Sequence, residues 1–324
     1  MTEPAPSLAQ AWNLPSSTTV VDVGLRDGLQ AVAKPLDTSR KVEIADRLVA
    51  AGCTELEVCS FAHPKVLPQL ADAAELVAEL DRLPWRDAVT LRGLAPNLTG
   101  ARRAIETSLD EIAVVIPAED GMALKNQSAT TEQLLDHLPE MVRVVQQAGK
   151  RIIVAVACAY FSPCYGEVSA PMRDRVIQAA VDLGVDKIYL ANTTGVEHPG
   201  EVYSGLAQAR SHYPHVSFGT HVHNRNGAAT ANALAALAAG AEWLETSVAA
   251  LGGDMWFPGD PAVLGNMATE DLIHLLETMG IATGINLTEI RSIAADLVDF
   301  TGFPSSSFVL RGGTREDLAG ARWQ

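Results

Sequence analysis

The chain has 324 residues, with 39 acidic and 24 basic side chains, so its formal net charge is −15 and its pI is near 4.9. This charge argues against nucleic acid or an anionic membrane surface as the main partner. Because 48% of the residues are hydrophobic and 19% are charged, the composition excludes a disordered chain and allows a large apolar core. No apolar run approaches the roughly 20 residues that a membrane-spanning helix needs.

The N-terminal segment and the cysteines bear on the compartment. Residues 1–17 contain neither a basic region nor an apolar one of the kind found in secretory signals. The four cysteines, Cys53, Cys59, Cys158 and Cys164, form no Cys-x-x-Cys pair. We therefore expect a cytoplasmic protein whose cysteines are reduced thiols near buried strands, and neither a disulfide framework nor a structural zinc site.

Short β-branched runs alternate along the chain with longer segments of helical apolar spacing. The predicted strands are Thr19–Val23, Glu55–Ser60, Val89–Leu94, Glu111–Ile116, Ile152–Ala157, Lys187–Ala191, Val216–His221 and Trp243–Ser247. The predicted helices between them include Ser39–Ala51, Leu67–Leu80, Thr131–Ala148, Pro171–Leu183, Gly200–Ser211 and Ala228–Ala239. Eight β-α units predict an α/β fold, a (β/α)8 TIM barrel.

Two observations support the barrel over its alternative, a doubly wound open sheet. Several helices end in a glycine shortly before the next strand, as at Gly52, Gly184 and Gly240, which is typical of βα units. No GxGxxG sequence follows the first strand, as it would in a dinucleotide-binding sheet. We expect an N-terminal segment at 1–17, a TIM-barrel catalytic domain at 18–285, and a C-terminal helical extension at 286–324 packed on the barrel.

In such barrels the functional side chains lie at the C-terminal ends of the strands. His221 and His223 alternate with Val222 on the seventh strand, so both face the barrel mouth at a separation that one metal ion can bridge. Asp27 follows the first strand and faces the same mouth. Imidazole, carboxylate and amide ligands with water suit Mg²⁺ or Mn²⁺; the alternative is a pair of hydrogen-bonded structural histidines.

Arg26 precedes Asp27 at the end of the first strand. One interpretation is a salt bridge between the two that braces the loop. The other is an electrophile that stabilises oxyanion charge during the reaction. Because adjacent residues at a strand end point in opposite directions, we expect the second role and no direct Arg26–Asp27 pair.

The chain resembles the metal-dependent lyase and synthase superfamily of TIM barrels, and more narrowly the 3-hydroxy-3-methylglutaryl-CoA lyase family. The matching stretches are VDVGLRDGLQ at 21–30, AGCTELEVCSFAHPKVLPQLAD at 51–72, APNLTGARRAI at 95–105, NTTGVEHPG at 192–200, THVHNRNGAATANALAALAAGA at 220–241, SVAALGG at 247–253 and GNMATEDLIHLLETMGIATGINL at 265–287. The sequence RDGLQ, where related synthases usually have RDGEQ, favours the lyase branch.

The resemblance implies a set of site residues, all named here by their positions in this chain. Metal ligands are Asp27, His221, His223 and Asn266. Arg26 polarises the substrate carbonyl, Glu57 supports Arg26, and Gln30 lies near the substrate. From their places after the sixth and seventh strands, Asn192 and Thr194 are further candidates for substrate binding, and Arg225 is a candidate contact for a substrate anion.

The chain departs from the family at its usual catalytic cysteine. The family's GGCPYA loop reads GGDMWFPGDPAVLGN here, which places Asp254 at the cysteine position. Asp254 can act as the catalytic acid if the loop residues Met255, Trp256 and Phe257 desolvate it and so raise its pKa. The other interpretation is that Asp254 contacts solvent or substrate and that the proton comes from elsewhere.

These features predict a divalent-metal carbon–carbon lyase that cleaves a 3-hydroxy-3-methylglutaryl-CoA-like 3-hydroxyacyl-CoA to an acyl-CoA and a keto acid. The alternatives are a related aldolase or Claisen-condensing enzyme with a different hydroxy or keto acid substrate, and a non-catalytic homologue. The expected partner is therefore a small molecule, either a CoA thioester or a hydroxy acid, and we expect a homodimer formed through outer helices. For an anionic substrate, Arg26, Arg225 and a metal ion must make the mouth locally positive.

Overall fold

The computed structural model describes residues 8–253 and 265–322. Its centre is a closed parallel barrel of eight strands: β1 (Thr19–Asp22), β2 (Glu55–Ser60), β3 (Thr90–Leu94), β4 (Glu111–Pro117), β5 (Arg151–Ala157), β6 (Lys187–Asn192), β7 (Ser217–Val222) and β8 (Trp243–Thr246). Their order around the barrel is β1-β8-β7-β6-β5-β4-β3-β2. The predicted (β/α)8 barrel is confirmed.

Helices α2 to α9 connect successive strands on the outside of the barrel, α1 precedes β1, and α10 to α13 follow β8. The helices of the described ranges are α1 (Leu8–Ala11), α2 (Thr38–Ala50), α3 (Ala73–Leu80), α4 (Leu98–Ala104), α5 (Asp120–Gln127), α6 (Thr131–Gln147), α7 (Ala170–Asp182), α8 (Pro199–His212), α9 (Ala229–Ala238), α10 (Thr269–Thr278), α11 (Leu287–Thr301), α12 (Phe308–Gly312) and α13 (Arg315–Ala319). Local signals set their ends: a Thr130–Gln133 capping box begins α6, and Gly302, with φ 64°, ends α11.

The strands alternate between an outer and an inner layer of side chains. Residues such as Ile188 and Leu190 face the surrounding helices and join the main core. The residues that face the barrel axis form a separate apolar cluster, made of Val21, Val23, Ile153, Ala155, Tyr189, Ala191 and Trp243. The alternation explains how short strands bury both faces, and it leaves the C-terminal ends of the strands for polar side chains.

An ion network lies inside the barrel beside this apolar cluster, and two of its members, Glu111 and Lys187, begin β4 and β6. Arg92 on β3 donates to Glu111 on β4 at 3.1 Å and contacts Glu245 on β8, while Lys187 on β6 lies 2.9 Å from Glu111. Arg92, Glu111 and Glu245 are each 1% exposed or less. Buried charges are tolerated when they are paired and hydrogen-bonded, so this network fixes the position of Glu245 inside the barrel.

One local expectation was wrong. The segment predicted as a helix over Leu67–Leu80 is divided into a 3-10 turn at Pro68–Leu70 and α3, because Pro68 starts a new turn and Asp72 leaves helical geometry with φ −87° and ψ 15°. Cys164 is exposed on a short antiparallel hairpin after β5, where Phe161–Ser162 pairs with Gly166–Glu167, whereas the other three cysteines are buried. All four cysteines are free thiols, as predicted.

The C-terminal segment contacts the barrel through α11, which buries Ile290, Ile293 and Leu297. Its Asp296 lies 2.5 Å from Arg47 on α2. The division at residues 17 and 285 stays a prediction. Within the described residues, no helix is long and apolar enough to cross a membrane.

Gly219 on β7 provides a test of the inner packing. A Cβ atom at this position would overlap the indole ring of Trp243. Replacing Gly219 by Ala should therefore lower the free energy of unfolding by about 1–3 kcal/mol, since overpacked cores must shift or strain. Urea denaturation measures the change. Gly312→Ala, where the added atom meets nothing within 4 Å, should cause no loss, and equal stability of both variants would contradict the packing described here.

Candidate metal centre at the barrel mouth

Arg26 and Asp27 lie in a single π-helical turn, Gly24–Gly28, that directly follows β1. In this turn neighbouring side chains do not alternate as they do in a strand, so the Arg26 guanidinium contacts the Asp27 carboxylate. The expectation that the two do not pair was wrong for this reason. Arg26 also donates from Nε to Glu57 Oε2 at 2.7 Å, and its Nη2 lies 2.6 Å from the same oxygen. Two carboxylates therefore hold one guanidinium.

The two histidines face Asp27 from β7, as their alternation predicted. His223 Nε2 lies 3.5 Å and His221 Nε2 3.9 Å from Asp27 Oδ2. One ligand atom from each of the three residues lies within 4.8 Å of the others, and all three residues are buried. The group could hold a metal ion, as the sequence predicted.

Glu245 on β8 is the register partner of His221 on β7 and orients its ring. Its Oε2 lies 3.1 Å from His221 Nδ1, while its Oε1 accepts from Trp243 Nε1 at 3.2 Å and contacts Arg92. Burial alone would raise the pKa of Glu245, but Arg92 and His221 outweigh it and lower the pKa to about 2. An ionised carboxylate at Nδ1 favours the proton on that nitrogen and leaves Nε2 as the ligand atom, as outer partners of metal-bound histidines do.

Asn266 reaches the cluster from the segment that follows β8. It pairs with His223 through an isolated antiparallel bridge. Its Nδ2 donates to Asp27 Oδ2 at 2.7 Å and to the Leu251 carbonyl at 3.0 Å. Gly252, with φ +128°, passes so close that a Cβ would overlap this amide. The predicted fourth ligand therefore lies beside the other three.

A divalent cation fits the residues present. The side chain of Asn266 is fully buried, yet its Oδ1 has no hydrogen-bond partner. A buried carbonyl oxygen without a partner is costly, and a cation held with Asp27, His221 and His223 would supply one. This set of oxygen and imidazole donors suits Mg²⁺ and Mn²⁺, which the sequence predicted, as well as other divalent metals.

The surroundings shift the pKa values of Asp27 and Glu57 in opposite directions. Burial would raise the pKa of Asp27, but Arg26 and the two histidines hold it well below its usual range. For Glu57, which is fully buried, burial and the nearby Glu245 raise the pKa despite Arg26. Asp27 is thus ionised at neutral pH and presents a carboxylate that a cation could bind.

A cavity of about 230 Å³ opens beside this cluster. Its lining includes the predicted site residues Arg26, Asp27, Gln30, His221 and His223. Gln30 also donates to Asp27 Oδ1 at 2.8 Å. The structure therefore brings the predicted metal, electrophile and substrate positions together at one opening.

Other predicted residues lie elsewhere. Glu57 sits behind Arg26 and does not line the cavity. Asn192 is fully buried, Thr194 donates to Glu197 at 2.8 Å, and Arg225 is half-buried; none of the three lines the cavity among the described residues. The strand that carries Asn192 presents Tyr189 and Ala191 to the cavity, because its side chains alternate. Asp254 and its loop, residues 254–264, lie outside the described residues.

Sequence reasoning missed Glu245 and Tyr189, which contact or face the same group. The ring of Tyr189 is 6.0 Å from that of His221. A signal was available: Glu245 is a lone acid inside the apolar strand Trp243–Thr246, and such a residue needs a partner inside the barrel.

Comparison with known proteins agrees with the resemblance. A model of the HMGL-like family matches residues 17–298. The mitochondrial hydroxymethylglutaryl-CoA lyase of Macaca fascicularis is 32% identical over 286 residues, which cover 88% of this chain and 86% of that protein. The (R)-citramalyl-CoA lyase of Chloroflexus aurantiacus is 33% identical over 304 residues, covering 92% and 95%.

A solved structure of a lyase is similar to this chain in both fold and sequence. An HMG-CoA lyase from Acinetobacter baumannii, in complex with coenzyme A and 3-methylmalate, superposes with a TM-score of 0.88 at 29% identity. The match covers 95% of this chain and 98% of that one. The likeness thus extends over the whole barrel and the helices around it.

Glu245 should control metal affinity through His221. Replacing it by Gln removes the charge that orients the ring, and we expect Mn²⁺ to bind 10–100-fold more weakly, a typical effect of outer partners. Titration calorimetry measures the change, with Glu242→Gln, an exposed acid beside the same strand, as the control. Unchanged affinity in a folded Glu245→Gln or Glu245→Ala variant would contradict this role.

Glu270 should make stability depend on pH. Burial raises the pKa of Glu270 from 4.5 to about 8, although the hydrogen bond that the Ala249 amide donates to its carboxylate acts to lower it. The folded chain then keeps a proton that the unfolded chain releases, so the free energy of unfolding falls between about pH 4.5 and pH 8, by up to roughly 1.4 kcal/mol per pH unit. Glu270→Gln should flatten this fall in urea denaturation at pH 5 and pH 7.5, whereas the exposed Glu106→Gln should keep it. Parallel curves for wild type and Glu270→Gln would disprove the effect.

Proposed function

Because the chain belongs to the HMGL-like family, whose named members here are lyases, we propose that it is a divalent-metal-dependent carbon–carbon lyase. Its substrate is a 3-hydroxyacyl-CoA similar to 3-hydroxy-3-methylglutaryl-CoA, and its products are an acyl-CoA and a keto acid. The observation that carries the proposal is the cluster of Asp27, His221 and His223 beside Arg26 at the open end of the barrel.

Asp27, His221, His223 and Asn266 are the residues that would hold the metal ion. When bound, such an ion lowers the pKa of a coordinated hydroxyl group and acts as a Lewis acid toward substrate oxygens. The protein prepares the ligands in advance, since Glu245 fixes the ring of His221 and the bridge to His223 fixes Asn266.

The bond that breaks joins C2, next to the thioester, to C3, which carries the hydroxyl group. As the hydroxyl proton leaves to a base, the C3–O bond becomes a carbonyl and the electron pair of the C2–C3 bond passes into the thioester, which forms an enolate. The candidates at the site for the base that receives the first proton are His221 and Asp27, and either can accept it only at an atom that does not hold the ion at that moment, because a ligated atom is a weaker base. A second proton then goes to C2 and completes the acyl-CoA.

Arg26 is placed to stabilise the negative charge of the enolate. Its guanidinium lines the cavity and is fixed by Glu57 from behind, so it presents positive charge to the place where negative charge develops. A charge that is already oriented stabilises the transition state without reorganisation. Gln30, which lines the same cavity, is placed to contact the substrate.

Asp254 is our candidate for the acid that protonates C2, since it stands where the family's cysteine stands. Asp254→Asn removes the transferable proton and should lower kcat by two orders of magnitude or more, because general acid catalysis contributes that much. Asp260→Asn in the same loop is the matched control and should stay near wild type. Near-normal turnover of Asp254→Asn would exclude it as the acid.

A second candidate, a related aldolase or Claisen-condensing enzyme with another hydroxy or keto acid substrate, is favoured by one specific departure, Asp254 at the position of the family's cysteine. A relative that cleaves citramalyl-CoA, and a neighbour that binds 3-methylmalate with coenzyme A, support a substrate range wider than one compound.

A panel of 3-hydroxyacyl-CoA thioesters and free hydroxy acids separates the candidates. Each compound is incubated with purified protein, with Mn²⁺ and after chelation, and products are identified by mass spectrometry. The proposal expects metal-dependent formation of an acyl-CoA and a keto acid from thioesters. Cleavage confined to free hydroxy acids would favour the second candidate, and no turnover of any compound would contradict both.

A further inference from the structure

The cavity at the barrel mouth has two chemically different halves, and we propose that its apolar half receives a hydrocarbon substituent larger than methyl. The substituent is carried by the hydroxyl-bearing carbon of the substrate. The inference rests on the proposed function, because it specifies the substrate class of the same cavity.

The polar half is built by the segments after β1 and on β7. It presents Arg26, Asp27, Gln30, His221 and His223. The hydroxyl group and the atoms that react must lie on this side, because it holds the charges and the ligands.

The apolar half is built mainly by β3, β4, β5 and β6. The lining residues there are Leu94, Pro96, Val115, Ala155, Ala157, Tyr189 and Ala191. At the rim, Val66 also lines the cavity with 58% of its surface exposed. Apolar walls of this kind suit a hydrocarbon group.

Strand register places this half directly beside the metal cluster. Ala191 on β6 is the register partner of His221 on β7, and neighbouring strands lie roughly 4.8 Å apart. One layer lower, Val115, Ala155 and Tyr189 are register partners across three strands. Nearer the opening, β5 and β6 present Ala157 and Ala191 to the cavity. Because both residues are small, they leave open the space that larger side chains would fill.

The charges of the lining residues favour a hydrocarbon group over a second substrate carboxylate in the apolar half. Among the described lining residues, Arg26 is the one permanently charged cation, and Asp27 and Glu57 already pair with it. The other polar lining residues away from the metal cluster are uncharged: Ser60, Asn126, Gln127 and Thr193. A carboxylate placed against the alanines would lose its water without gaining a partner of opposite charge among these residues, which is unfavourable.

The test compares CoA thioesters that differ only at the substituent on C3 of a 3-hydroxyglutaryl group: methyl, propyl, isobutyl and carboxymethyl. The Mn²⁺-loaded protein is assayed for kcat/KM. We expect the propyl or isobutyl compound to exceed the methyl compound at least tenfold, since one methylene in an apolar pocket changes kcat/KM by about that factor. The carboxymethyl compound should fall below the methyl compound.

Two variants change the size of the apolar half in opposite directions. Ala157→Leu should lower the ratio of kcat/KM for the propyl compound to kcat/KM for the methyl compound at least tenfold. Val115→Ala should instead favour the larger substituents. Ala50→Leu, at an exposed position of α2, is the matched control and should change neither compound.

The outcomes separate this inference from the proposed function. Cleavage of the methyl compound with equal or lower kcat/KM for propyl and isobutyl would overturn the inference and leave the lyase proposal standing. A preference for carboxymethyl would overturn it as well. If the metal-loaded protein cleaves none of the thioesters, the proposed function fails, and the inference fails with it.

Discussion

The Asp27 carboxylate is shared by side chains that arrive from separate parts of the chain. Its Oδ2 accepts from Asn266 at 2.7 Å and faces the Nε2 atoms of both histidines, while its Oδ1 accepts from Gln30 and contacts Arg26. A charge that is 5% exposed must be matched by partners of opposite charge or by a metal ion. The turn after β1, the strand β7 and the segment after β8 are therefore held in one arrangement by the need to satisfy this group.

A second buried carboxylate, that of Glu245, connects the residues around Asp27 to charged residues inside the barrel. Glu245 links the imidazole of His221 to Arg92, which in turn is held by Glu111. The position of the His221 ring at the mouth thus depends on an ion network that extends to Glu111 at the start of β4. The net charge of −15 says little about this interior, because near charges dominate distant ones when salt screens over about 8 Å.

The sequence allowed the barrel, the order of its strands and the metal cluster to be predicted, since all three follow from periodicity, from strand ends that meet at one mouth, and from recognisable motifs. What it did not predict depends on local backbone geometry and on long-range contacts. The π-helical turn brings the side chains of Arg26 and Asp27 into contact, although they were expected to point in opposite directions. The alternation of side chains along β6 directs Tyr189, rather than Asn192, toward the cavity. Glu245 was missed because its partner, His221, comes from a neighbouring strand.

The central claim is that one divalent ion, held by Asp27, His221 and His223, makes this chain a lyase. Its most direct test is a titration of metal-free protein with Mn²⁺ in which bound ion, by electron paramagnetic resonance, and acyl-CoA formation from 3-hydroxy-3-methylglutaryl-CoA and its 3-alkyl homologues are followed together. The account predicts that both rise in parallel and saturate at one ion per chain, and that His223→Ala abolishes both. Full cleavage activity without metal, or unchanged Mn²⁺ binding in His223→Ala, would contradict it.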